Sequence, residues 1–371
     1  MAPDRPPSDD GTSDLLARLP KAELHLHLDG SLRPETALRL ARQRRLDDGM
    51  GLATMRSRLR APMPCRDQVE LLAAFDLPVA LLQDAEALER ATHELVEDVA
   101  GDGTTYAEIR WAPSLHTRRG LSLRDGIGAV VRGARSGAAA TGVVVRLIAV
   151  ALRTLDAEDE AAMARVAADF RADGLVGFDL AGREADAPDP MRFARAFDIA
   201  RDAGLGLTCH AGEWGGAPQV RRALELGVSR VAHGAPAADD PELVAELTAR
   251  GVTLDLCPTS NVQAAIVPSL AAHPLARLAR AGVPVTLSTD DRTVSDLTLL
   301  QEYANALGPL GLSLAELVAI DRQAFQVGFL ADDEPLRARL LADLDSFVAA
   351  EVALGRSIVA TEAAPGGSIT R

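Results

Sequence analysis

A chain of 371 residues, 47% hydrophobic and 25% charged, is too long for a small module, can bury a substantial core and has the composition of an ordinary soluble enzyme. A net charge of −14 argues against nucleic acid as a partner, because a surface that neutralises phosphates must be basic and no arginine cluster here is free of nearby acids. Three widely spaced cysteines (Cys65, Cys209 and Cys257) give neither a disulfide framework nor a thiolate metal site, and no apolar run is long enough to span a bilayer.

The N-terminal stretch MAPDRPPSDDGTS carries acids and prolines where a leader peptide needs an apolar run, so a cytoplasmic protein is expected. Residues 1–13 and 362–371 lack a repeating apolar pattern and are read as loose tails, which leaves 14–361 as one domain. Within it, short runs rich in Val, Ile and Leu recur. They are AELHLHLD from Ala22, YAEIRWAP from Tyr106, VVVRLIAV from Val143, LVGFDLAG from Leu175, GLTCHAGE from Gly206, RVAHG from Arg230, TLDLCPTS from Thr253 and VPVTLSTDD from Val283. Helical segments follow them. Pro34 opens one at an early-helix position, and Asp239 with Pro241 begins another that Gly251 closes.

Eight βα alternations predict a (β/α)8 TIM-type barrel; an open doubly wound sheet shares the alternation, so the position of the chemistry must decide. One connection is anomalous. Nearly eighty residues separate the first two strands, and they include helically spaced stretches at Met50–Leu59 and Arg66–Leu82. This is a helical insertion, either a lid over the barrel mouth or additional scaffold.

Barrel active sites form at the C-terminal ends of the strands, where several histidines fall. His25 and His27 stand two apart on the first strand, so both rings point into the barrel while Leu24, Leu26 and Leu28 point out. His210 ends the fifth run and Asp290 the eighth. Three neutral imidazoles and a carboxylate suit one borderline-soft divalent ion that keeps an open position for water. Zinc fits best, although iron accepts similar ligands. Lys21 is the only lysine and precedes the first strand, so no carboxylated lysine is available to bridge a second metal. Glu213, His233 and Asp291 surround the expected ion and can shuttle protons for attack on an electron-poor carbon bearing an amine.

The strings LPKAELHLHLDGSL, FDLAGRE, HAGE, AHG and TDD, in that order, resemble the adenosine deaminase family of the amidohydrolase superfamily over about Leu19 to Phe329. The resemblance implies zinc on His25, His27, His210 and Asp290, and hydrolytic conversion of adenosine to inosine with release of ammonia. Glu213 would donate a proton to ring N1, His233 would orient or deprotonate the attacking water, and Asp291 would bond near the attack site or ring N7. His27 also borders the substrate, the backbone of Gly182 would meet ring N3, and Asp29, taken to share the strand face of His27, would accept from the ribose 5′-hydroxyl. A small purine nucleoside is thus the expected partner.

Departures from the family pattern lie on the 5′ side. Ser288 and Arg292 flank the TDD string where Asn and Pro are usual, and Arg292 is placed to alter the pocket rim. Trp111, Ser114 and His116 are expected to shape the mouth. Aminodeoxyfutalosine is therefore an alternative substrate, and free adenine a lesser one. Two further readings are a catalytically silent nucleoside-binding protein and an amide or ester hydrolase of the same superfamily. His93 and His273 are read as bland, one on a helix surface and the other in a loop, and Cys209 as shell packing.

Overall fold

Eight parallel strands pair in chain order in the computed structural model, which describes residues 11–186, 189–330, 333–354 and 358. They are β1 (Lys21–His27), β2 (Thr104–Trp111), β3 (Val144–Leu152), β4 (Leu175–Ala181), β5 (Gly206–Ala211), β6 (Arg230–His233), β7 (Thr253–Leu256) and β8 (Val285–Leu287). A parallel bridge between Leu26 and Asp290 joins the end of β8 back to β1. There the Asp290 amide donates to His25 O at 3.0 Å, and the His27 amide donates to Asp290 O at 2.8 Å. The alternation is thus a (β/α)8 barrel and not an open sheet, and its closing seam runs through two of the expected metal ligands and between them and a third.

Helix starts follow the local chemistry. Pro34 sits in the first turn of its helix, and Asp240, one residue later than expected, caps Pro241–Arg250 by accepting from the Leu243 amide. Asp239 instead pairs with Arg277 at 2.7 Å. Residues 1–10 and 362–371, both read as tails, lie outside the described residues, whereas Thr12 and Ser13 open helix α1 (Thr12–Arg18).

The insertion between β1 and β2 comprises α2 (Pro34–Arg44), α3 (Leu52–Leu59), α4 (Gln68–Leu72) and α5 (Asp76–Leu81), before α6 (Ala85–Gly101) packs on the barrel. Asp67 caps α4 and Asp84 caps α6 through their side chains. Gln68, Leu71, Leu72, Phe75 and Val79 from α4, α5 and the turn between them face a cavity at the strand ends. The insertion therefore covers the barrel mouth.

The barrel interior is polar, where layers of branched aliphatic side chains are usual. Arg110 pairs with Asp179 at 2.9 Å, Arg230 pairs with Glu108 at 2.6 Å and Asp255 at 3.1 Å, and Thr286 donates to Asp255 at 2.8 Å; all six are buried. Desolvated charges persist only when so matched, and removing one partner of such a pair costs about 3–5 kcal/mol. Below this network the Phe329 ring lies 3.9 Å from the Arg230 guanidinium and closes the far end. A Cβ at position 206 would come within 2.3 Å of that ring, which is why glycine opens β5.

Candidate active site

Alternation along β1 sends His25 and His27 inward together, and β5 brings His210 to the same point. Their Nε2 atoms lie 3.2 Å apart between His25 and His27 and 3.1 Å apart between His27 and His210. Asp290 Oδ1 lies 3.0 Å from His25 Nε2 and 3.4 Å from His27 Nε2. Nitrogen lone pairs converging so closely need an electrophile between them. Bonds of about 2.0–2.1 Å from one zinc ion would let its ligand atoms stand roughly 3–4 Å apart, with room left for a water. The four side chains thus fit a single cation and form a candidate metal site.

Burial pushes the His27 ring down to about 3 and holds His25 well below the usual imidazole range, so both present free lone pairs. Burial alone would raise the Asp290 carboxyl, but the surrounding histidines, His25 first, hold it well below its usual value. Its other oxygen accepts from Ser260 Oγ at 2.6 Å. His210 Nδ1 lies 2.9 Å from Asp179 Oδ2, the carboxylate that Arg110 also holds. Such an outer carboxylate fixes the ring's tautomer and leaves Nε2 facing the other donors of the cluster. Asp290 and His233 both adopt φ of 68°, a left-handed backbone rarely found at non-glycine residues and concentrated at working sites.

The cavity beside these groups has a volume of about 280 Å³ and is lined by His27, Asp29, Gly182, His210, Glu213, His233, Asp290 and Asp291 under the apolar roof of the insertion. All nine expected site residues except the fully buried His25 therefore reach it directly. Burial first, then the neighbouring Asp290 and Glu184, pushes the Glu213 carboxyl well above its usual range. Asp291 rises likewise through burial and the nearby Asp290, Glu213 and Asp29. Glu184 Oε2 accepts from the Trp214 and Gly215 amides at 2.9 and 2.6 Å, fixing the loop that carries Glu213.

Several expectations need correction. Asp29 does not share a strand face with His27, because β1 ends at His27 and Asp29 begins a 3-10 turn (Asp29–Ser31). It still faces the cavity, with its Oδ1 3.0 Å from His116 Nε2. Trp111 and Ser114 do not line the mouth; their neighbours Leu115 and Arg118 do. Arg292 leaves the rim altogether, drawn away by Asp102 at 2.6 Å and the Asp98 carbonyl. His273 stands in a loop as expected, but it is buried and not bland, with Nε2 3.0 Å from Asn261 Oδ1.

Sequence reasoning assigned no role to Asp179, Arg110, Ser260 or Asn261. Asp179 was within reach as an acid in mid-strand, where an aliphatic side chain is the rule; Arg110 offered the same signal one layer across.

The adenosine deaminase family profile matches residues 20–346. An adenosine deaminase of Enterococcus faecalis is 38% identical over 317 residues, which cover 85% of this chain and 94% of the relative. The crystal structure of a zinc-bound amidohydrolase from Burkholderia ambifaria superposes with a TM-score of 0.83 at 26% identity, over 94% of this chain and 96% of that one. An N6-methyl-AMP deaminase from Arabidopsis thaliana gives 0.79 at 31% identity, over 90% and 98%. With the convergent histidines, the polar barrel and the covered mouth in place, the chain belongs to the adenosine deaminase family and is a hydrolase of carbon–nitrogen bonds in cyclic amidines.

Proposed function

We propose that the protein deaminates adenosine and 2′-deoxyadenosine hydrolytically, to inosine or 2′-deoxyinosine and ammonia, using one zinc ion held by His25, His27, His210 and Asp290. The observation that carries this reading is Glu213, a carboxyl pushed well above its usual range at the wall of a cavity that also holds the four-donor cluster. Zinc, when bound, supplies a hydrolytic nucleophile at neutral pH and stabilises the charge that develops on attack.

The protein's own groups do the rest. Glu213 keeps its proton in the closed cavity and gives it to ring N1, which makes C6 electrophilic as the water oxygen adds. His233 contacts that water, orienting or deprotonating it. Asp291 Oδ1, buried without a hydrogen-bond partner among the described residues, bonds near the attack site or ring N7. Gly182 offers its backbone to ring N3, and Asp29 accepts from the 5′-hydroxyl. Leu71, Leu72 and Phe75 exclude water above the purine. Collapse of the tetrahedral carbon then expels ammonia.

Ammonia release from adenosine, 2′-deoxyadenosine, adenine and aminodeoxyfutalosine tests the reading. The two adenosines should react fastest, and absence of ammonia from both would refute it.

A further inference from the structure

Beyond the cavity wall, a chain of hydrogen bonds leads to His233 from a backbone amide that no expected role touches. The Leu275 amide donates to His273 Nδ1 at 3.1 Å. His273 Nε2 lies 3.0 Å from Asn261 Oδ1, and Asn261 Nδ2 lies 3.1 Å from His233 Nδ1. Asn261 is fully buried, and His273 and His233 nearly so.

The direction of this chain follows from its first link. A backbone N–H can only donate, so His273 Nδ1 must accept and carries no proton. Burial lowers the His273 ring to about 3, so it is neutral and its single N–H sits on Nε2. That N–H requires an oxygen opposite it, which fixes the Asn261 amide with Oδ1 toward His273 and Nδ2 toward His233. The amide then donates to His233 Nδ1, which must accept in turn. The His233 proton is left on Nε2, the nitrogen that faces Asp290 and Glu213 at 3.8 and 3.9 Å.

We propose that Leu275 N–H, His273 and Asn261 form a one-way relay that holds His233 as its Nε2–H tautomer, making the ring a hydrogen-bond donor to the attacking water and not its base. The inference rests on the deaminase reading and chooses between the two roles that reading leaves to His233. Nε2 then has no lone pair with which to take a proton, so the proton lost by water passes to a carboxylate of the cavity. His273 and Asn261 are positioning residues; they act only through His233.

Long-range ¹H–¹⁵N spectra of the zinc-loaded protein labelled at histidine give the most direct test, with the His233 signals assigned by their loss in His233→Gln. The expected pattern is a neutral ring protonated on Nε2; protonation on Nδ1 would overturn the relay. Asn261→Asp replaces the amide by a group that accepts from both rings, so His233 should move its proton to Nδ1. Its kcat should fall by about 10- to 100-fold, the usual effect of losing an outer-shell partner, with KM within about twofold. His273→Phe should lower kcat in the same way, and His273→Gln, which keeps a donor toward Asn261, should restore most of it. Wild-type kcat in both Asn261→Asp and His273→Phe would refute the proposal. The spectrum of the unmodified protein needs no substrate, so the relay and the deaminase reading fail independently.

Discussion

Gly30 offers a perturbation whose size is set by geometry. A Cβ added there would lie 1.7 Å from Asp291 Oδ1, 2.5 Å from its Cγ and 2.9 Å from its Cβ, whereas such contacts essentially never fall below 3.0 Å. The Asp291 carboxylate must therefore retreat by about 1.3 Å or more in Gly30→Ala. Rotation of the side chain alone does not suffice, because its Cβ is also too close. The backbone cannot yield easily either, since Gly30 O accepts from the Thr293 and Val294 amides at 2.9 and 3.1 Å. Misplacing a reacting group by about 1 Å costs roughly 100-fold in rate, and overpacking a buried site costs about 1–3 kcal/mol of stability. Steady-state adenosine deamination should show kcat reduced about 100-fold, with a lowered Tm in a parallel melt. A Gly30→Ala enzyme with wild-type kcat and Tm would refute the placement of Asp291 against this turn.

Glu213→Gln should retain zinc yet lose nearly all turnover, read by metal analysis alongside ammonia release; preserved activity would remove Glu213 from proton transfer. His25→Ala should purify without zinc, and stoichiometric metal in that variant would show the ligand assignment to be wrong. Glu160, buried on the helix Ala157–Ala168, is pushed up to about 7 by burial, so the folded state holds a proton that the unfolded chain releases near its ordinary value of 4.5. Its destabilising effect is absent below about pH 4.5, grows as pH rises toward about 7 and then levels off at about 3 kcal/mol. Glu160→Gln should therefore melt above the wild type at pH 8 and beside it at pH 4, and parallel melting at both would contradict the shift.

The features legible in the sequence were those with a local period. The His-x-His of β1 declares its inward face, and each βα alternation declares a strand and its cover, so the barrel and the four donors that converge at its mouth are legible in the sequence. Contacts across the barrel could not. Asp179 meets Arg110 and His210 from three different strands, and Asn261 reaches His233 and His273 across a turn, pairings that no spacing encodes. Asp29 reads as strand but stands in a turn, because nothing in LHLDG marks where pairing with β2 stops and the turn begins. Arg292 looked like a rim residue from its neighbour Asp291, but the buried Asp102 captures it from the opposite side. The helical spacing of the insertion and its expected place over the barrel mouth were legible too, while the side chains with which it faces the cavity were not, because they depend on how α4 and α5 pack over strands far along the chain.

Metal removal tests the central claim most directly. The protein should be stripped with a chelator, assayed for ammonia release from adenosine, and titrated back with zinc while activity and bound metal are measured together. Activity should vanish on stripping and return in proportion to zinc, saturating at one ion per chain. Full turnover by the stripped protein, or recovery that requires two ions per chain, would contradict a single cation held by His25, His27, His210 and Asp290.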